Sequence, residues 1–215
     1  MVWLHELDNF CYQVRTGTGD GMSDSWDDYA EGWDSNSDAI TFAAQAYRSL
    51  IDLIDISGLR ILDFGCGTGL LTERMALDAD RVVALDSSAK MISVLNDKGL
   101  ENVETIAEIL SEKLIYGNSF LYPKFDLVVA SSVCAFLPEY ENTLLLLKSL
   151  LKTNVILVQW DWLKSDQDST VGFTRESINL AFAKSGIEVV AIKESFSILS
   201  NGNSMKVVMA AGKNP

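Results

Sequence analysis

Leu62-Asp-Phe-Gly-Cys-Gly-Thr-Gly-Leu-Leu71 decides how this chain is read. It overlaps the end of the short apolar run Arg60-Ile-Leu-Asp-Phe64 and leads into a stretch that reads as a helix over about 70–78. The alternate glycines Gly65, Gly67 and Gly69 let the main chain turn sharply and let a ligand approach it. N–H groups at the start of the next helix favour an electron-rich ligand group. The spacing is G-x-G-x-G. It has no lysine of the kind a P-loop needs, and it differs from the G-x-G-x-x-G of dinucleotide folds. Nucleoside triphosphate hydrolysis is set aside, and a nicotinamide-dependent oxidoreductase becomes the second choice.

Downstream, Arg81-Val-Val-Ala-Leu-Asp86 reads as a second buried strand ending in an acid, 17 residues after Gly69. An acid there can accept hydrogen bonds from both ribose hydroxyls. Its plainer role is to sit near the positive end of the next helix. Ser87 or Ser88 caps that helix, over 89–98, and Gly99 stops it. Residues 102–106, 125–130 and 154–159 read as further strands, with a Leu-rich helix over about 141–152. Lys152-Thr-Asn154 reads as a plain loop, and Asp126 as a strand-start residue. Thr174 caps a helix over 175–184, closed by Gly186. Strand candidates 187–197 and 204–211 meet at the turn Asn201-Gly202-Asn203 with no helix between them, so they should be antiparallel. Upstream, apolar residues from Ile40 to Ile54 recur at helical spacing behind Ser37 as N-cap, up to Gly58. Strands alternating with helices give an α/β class with a mainly parallel sheet.

With 215 residues the expectation is one domain. Residues 1–21 read as a loosely attached extension and 22–215 as the domain, with 22–37 as an N-terminal lid. The chain carries 30 acidic and 17 basic residues, a net charge of −13. That balance disfavours nucleic acid and anionic membranes as partners. Cys11, Cys66 and Cys134 lie far apart and His5 is the only histidine, so neither a metal site nor a disulfide framework is expected. Cys66 and Cys134 read as buried packing residues. The first residues lack a basic n-region, and no apolar run approaches a membrane span. The expectation is a cytoplasmic protein with a small-molecule partner and an oligomeric state left open.

Leu62–Leu71 followed by Val82-Val-Ala-Leu-Asp-Ser-Ser-Ala-Lys-Met91 resembles motifs I and II of the class I S-adenosylmethionine-dependent methyltransferases. Phe125-Asp-Leu-Val-Val-Ala-Ser-Ser132 resembles their motif IV, and Trp26-Asp-Asp-Tyr-Ala-Glu-Gly-Trp33 the aromatic N-terminal segment of small-molecule members. The resemblance, over roughly 26–211, implies a doubly wound, seven-stranded, mainly parallel α/β sheet of Rossmann-like kind in the order 3-2-1-4-5-7-6 with strand 7 antiparallel, and S-adenosylmethionine as cofactor. It implies that Asp63, Gly65, Cys66, Gly67 and Gly69 line the methionine end and that Asp86 holds the ribose. Ser87 and Met91 would lie near ribose and adenine, Ala107 and Glu108 beside the adenine, and Ala130 and Ser131 at the sulfonium. Motif IV is not followed by N/D-P-P-Y/F, which argues against amino methylation of nucleic-acid bases. Phe136 stands where many small-molecule members carry histidine. Trp26, Tyr29, Trp33, Phe136, Trp160 and Trp162 are the candidates for an acceptor wall, and Tyr29 and Asp161 the acid/base candidates. A non-catalytic nucleoside-cofactor-binding protein on the same fold is the rival from another class.

Overall fold

The computed structural model describes residues 26–164, 171–200 and 203–215. The expected extension, with His5 and Cys11, lies outside the described residues, as does most of the expected turn at 201–203.

The elements run α1 (Ser37–Ile51), β1 (Arg60–Phe64), α2 (Thr72–Met75), β2 (Arg81–Asp86), α3 (Ala89–Asp97), β3 (Val103–Ala107) and α4 (Glu112–Gly117). They continue with β4 (Phe125–Ser131), α5 (Tyr140–Leu150), β5 (Leu151–Trp162), α6 (Arg175–Lys184), β6 (Glu188–Ser200) and β7 (Asn203–Lys213). One seven-stranded sheet has the order β3-β2-β1-β4-β5-β7-β6. The first five strands pair in parallel, and β7 runs antiparallel to both neighbours. This is the expected arrangement.

The pleat divides the apolar strands between two layers. Ile61, Val82, Leu127, Val129 and Trp160 pack under α1 with Phe42, Ala46 and Leu50. Leu62, Val83, Val128 and Leu157 face the other way, onto Leu144 and Leu147 of α5 and Phe182 of α6. Among the described residues no helix is long and apolar enough to cross a membrane.

Several local expectations are corrected. Asn36, not Ser37, caps α1, its side chain accepting from Asp38 N–H at 2.9 Å and Ala39 N–H at 3.2 Å. The helix stops at Ile51 and does not run on towards Gly58. The helix expected to reach residue 78 is the single turn Thr72–Met75, because Leu77 and Asp78 donate to carbonyls three residues back and tighten the end. β5 begins at Leu151, so Lys152-Thr-Asn154 lies in a strand. A polar tripeptide reads as a loop, but here a bulge with Asn154 at φ 65° absorbs it, and its N–H donates to Asn214 O at 2.7 Å. The Ser88 and Thr174 caps are as expected, Thr174 within a capping box with Ser177.

Candidate cofactor and acceptor site

The site is built at the carboxyl ends of the neighbouring strands β1 and β4, where the strand order reverses. Gly65 and Cys66 donate their N–H groups to Leu85 O at 2.8 and 3.2 Å, which fastens the glycine turn to β2. Gly67 N–H donates to Asp86 Oδ2 at 2.8 Å, and Ser88 N–H to Asp86 Oδ1 at 2.9 Å. Asp86 therefore organises the turn and still has lone pairs for a ligand. Burial pushes its carboxyl up, against the pull of these N–H donors.

Gly65 has φ 71°, and a Cβ there would lie 2.4 Å from Val133 Cγ2. Only glycine lets the turn pass this close beneath the loop after β4.

Asp63 is buried beneath the turn. Thr72 Oγ1 donates to its Oδ2 at 2.6 Å, while its Oδ1 has no partner among the described residues. Burial, first, and the nearby Asp86 charge push this carboxyl up to about 7. An unsatisfied buried carboxylate oxygen on a cavity wall calls for a donor, best a cationic one. That fits the ammonium of an amino-acid ligand.

The cavity, of about 190 Å³, brings together Asp63, Gly65, Cys66, Gly67, Asp86, Ser87, Met91, Glu108 and Ser131. Trp26, Trp33 and Phe136 close it from above, with Phe42 from α1. The Trp26 ring meets Phe136 edge-on at 5.4 Å and Trp33 at 6.2 Å. Two carboxylates fasten this aromatic cover. Asp27 accepts from the Ser88 hydroxyl and from Lys90 N–H, which holds its own carboxyl below the usual range. Asp34 accepts from the Thr68 hydroxyl within the glycine turn and pairs with Lys98 Nζ at 2.9 Å. Acids that composition alone assigns to solvation thus fasten the cover to the glycine turn and to both ends of α3.

Other candidates lie elsewhere. Trp160 is buried under α1, its Nε1–H donating to Ser49 Oγ at 2.7 Å. Trp162 packs edge-on against Phe42 at 5.3 Å. Neither lines the cavity, because alternation along β5 turns both rings into the α1 layer. Tyr29 packs on Trp26 behind the wall, at 5.9 Å. Gly69, Ala107 and Ala130 shape the backbone without lining the cavity. Asp161 is fully buried and away from it. Cys66 and Cys134 are buried free thiols, as expected. Sequence reasoning missed Ile109, Ser132, Val133 and Leu137 on the wall. Ile109, two-thirds exposed beside Glu108, carried a signal in being apolar just after a strand end.

The family profile described as "Methyltransferase domain" matches residues 55–196. An uncharacterized methyltransferase of Schizosaccharomyces pombe is 32% identical over 114 residues, covering 50% of this chain and 40% of that protein. A probable ribosomal RNA small subunit methyltransferase A of Methanosarcina acetivorans is 32% identical over 102 residues, covering 47% and 35%. The matched region thus spans less than half the length of these curated relatives. The crystal structure of the N-methyltransferase NodS from Bradyrhizobium japonicum with S-adenosyl-L-homocysteine superposes with a TM-score of 0.68 at 17% identity, covering 91% of this chain and 100% of that one. A profile match over most of the chain, on a sheet of this order, places the protein in the class I S-adenosylmethionine-dependent methyltransferases.

Proposed function

We propose that the protein transfers a methyl group from S-adenosylmethionine to an apolar small molecule that is uncharged or cationic. The observation that carries this is the wall itself: aromatic rings on the acceptor side and the carboxylates Asp63, Asp86 and Glu108 below. A phosphorylated or polyanionic acceptor would meet like charge from Glu108 and from Asp27 and Asp34 of the cover. Asp63 Oδ1 would take the ammonium of the methionine end, Asp86 the ribose hydroxyls, and Met91 and Ile109 the faces of the adenine. When bound, the cofactor supplies a methyl already activated on a sulfonium. The chain's part is then to align the acceptor and exclude water, worth several kcal/mol at a near-attack separation. Trp26, Trp33 and Phe136 do both. Transfer of labelled methyl to a panel of neutral, cationic and anionic metabolites and a structured RNA tests the proposal. Turnover confined to neutral and cationic compounds supports it, whereas RNA or phosphorylated acceptors would replace it. Cofactor binding with no turnover would favour the non-catalytic reading.

The Asp63 carboxyl makes a pH prediction. Held near 7 in the fold against an ordinary value near 4, it keeps its proton through that window. Its contribution to stability is fully present below the ordinary value and falls as pH rises to about 7. An incoming ammonium favours the ionised form. Binding of S-adenosyl-L-homocysteine just below neutral pH should release a proton, read as a calorimetric enthalpy that depends on the buffer. Asp63→Asn should abolish that dependence.

The aromatic cover should order on binding. Amide exchange over 26–36 is expected to slow with S-adenosyl-L-homocysteine, and Tyr29→Ala with Trp33→Ala to lower turnover more than melting temperature. Exchange already slow and indifferent to ligand would mean that these rings only anchor α1.

A further inference from the structure

The polar side chains that face inward from the end of β5 take no part in the cavity. Gln159 and Asp161 are each fully buried and alternate with Trp160, so they point away from α1 towards the segment after β4. There they form a directed chain. Tyr140 OH, at the start of α5, donates to Gln159 Oε1 at 2.5 Å; Gln159 Nε2 donates to Asp161 Oδ2 at 3.2 Å. Ala135 N–H donates to Asp161 Oδ1 at 3.1 Å. Ala135 is the centre of a single 3-10 turn, Cys134–Phe136. The other end of that segment is also fastened to β5, because Ser132 N–H donates to Trp160 O at 2.7 Å with Ser132 at φ 55°. Between the two anchors Val133 presses on Gly65, and just past them Phe136 meets Trp26.

We propose that Asp161 is a positioning residue for the acceptor end of the cavity, acting through Ala135 and Phe136 on Trp26. This rests on the reading of that aromatic wall as the acceptor end. A loop fastened at one end by a backbone bond could swing Phe136 aside. The second anchor, a buried carboxyl with both oxygens engaged, fixes where Phe136 meets Trp26 and so sets the aromatic wall against which an acceptor packs. Burial pushes the Asp161 carboxyl up to about 8, against the Ala135 N–H, which favours the ionised form. The ionisable groups facing it are Cys134 on the turn and Tyr140 on α5, and burial raises both. Asp161 is therefore the group of this cluster that titrates in the mildly alkaline range.

The test uses the full chain labelled with fluorotryptophan, the Trp26 signal being assigned with Trp26→Phe and the Ala135 amide followed in parallel. In the wild type both signals should titrate together with a midpoint near that of Asp161. Asp161→Asn should abolish the shared midpoint, and Asp63→Asn should leave it in place. A Trp26 signal that stays still while the Ala135 amide titrates would overturn the proposal and leave Asp161 a purely structural anchor. So would a midpoint that survives Asp161→Asn. If Asp161→Asn does not fold, Tyr140→Phe keeps its packing on Phe173 and removes the last donor of the chain. The Trp26 midpoint should then move up, and an unmoved one counts against the coupling. Affinity for S-adenosyl-L-homocysteine should stay within about twofold in Asp161→Asn, as for sites that share no partner. A wild type that fails to bind that product would overturn the methyl-transfer reading and leave the Trp26 result to stand by itself.

Discussion

Gly65→Ala is expected to lower the melting temperature by about 10 °C, the largest stability effect of any single methyl group in the cavity wall. The new Cβ would meet Val133 Cγ2, Cβ and Cγ1 at 2.4, 2.6 and 2.9 Å, so it strikes the root of a branched side chain and cannot be relieved by rotating a flexible tip. The backbone there has φ 71°, which costs an L-residue a further penalty. Overpacking of about 1–3 kcal/mol and a left-handed cost of about 1–2 kcal/mol add to a substantial part of a typical domain's stability. The control is Gly117→Ala at the end of α4, where the Cβ meets nothing within 4 Å and the melting temperature should hold or rise slightly. Equal melting of the two variants would mean that the loop after β4 does not press on the turn as described.

Asp86→Ala is expected to weaken binding of S-adenosyl-L-homocysteine by about 1–3 kcal/mol, or roughly 5- to 150-fold. Two losses combine. The ribose hydroxyls lose their acceptor, and the N–H groups of Gly67 and Ser88 lose theirs at the ligand's edge. Asp86→Asn keeps one acceptor oxygen but turns an NH2 donor towards the other N–H, so it should recover only part of the loss. Calorimetric titration of the three proteins reads this directly. Unchanged affinity in Asp86→Ala would remove Asp86 from the ribose site.

The sheet was legible because parallel strands buried on both faces are written as unbroken apolar runs. Ile61 and Leu62, Val82 to Leu85, and Leu127 to Ala130 could be read as little else. Motif I and Asp86 were legible because glycine spacing and a strand-end acid are local features. What the sequence concealed was long-range. Nothing near Trp160 or Trp162 says which face of β5 each ring occupies, and that depends on where the strand begins. The start at Leu151 is hidden behind a polar bulge. Asp34 and Asp27 look like solvated acids until Thr68 and Ser88, more than thirty residues away, come within hydrogen-bond reach. Asp161 looked like an acid/base candidate because an acid between two tryptophans at a strand end resembles a site. Its engagement by Ala135 and Gln159 is a matter of packing alone.

The most direct test of the central claim is a calorimetric titration of the full chain with S-adenosyl-L-homocysteine and with NAD. One saturable site for S-adenosyl-L-homocysteine is expected, weakened in Asp86→Ala without loss of cooperative unfolding, with no binding of NAD. Binding of NAD in place of S-adenosyl-L-homocysteine, or no heat with either, would contradict it.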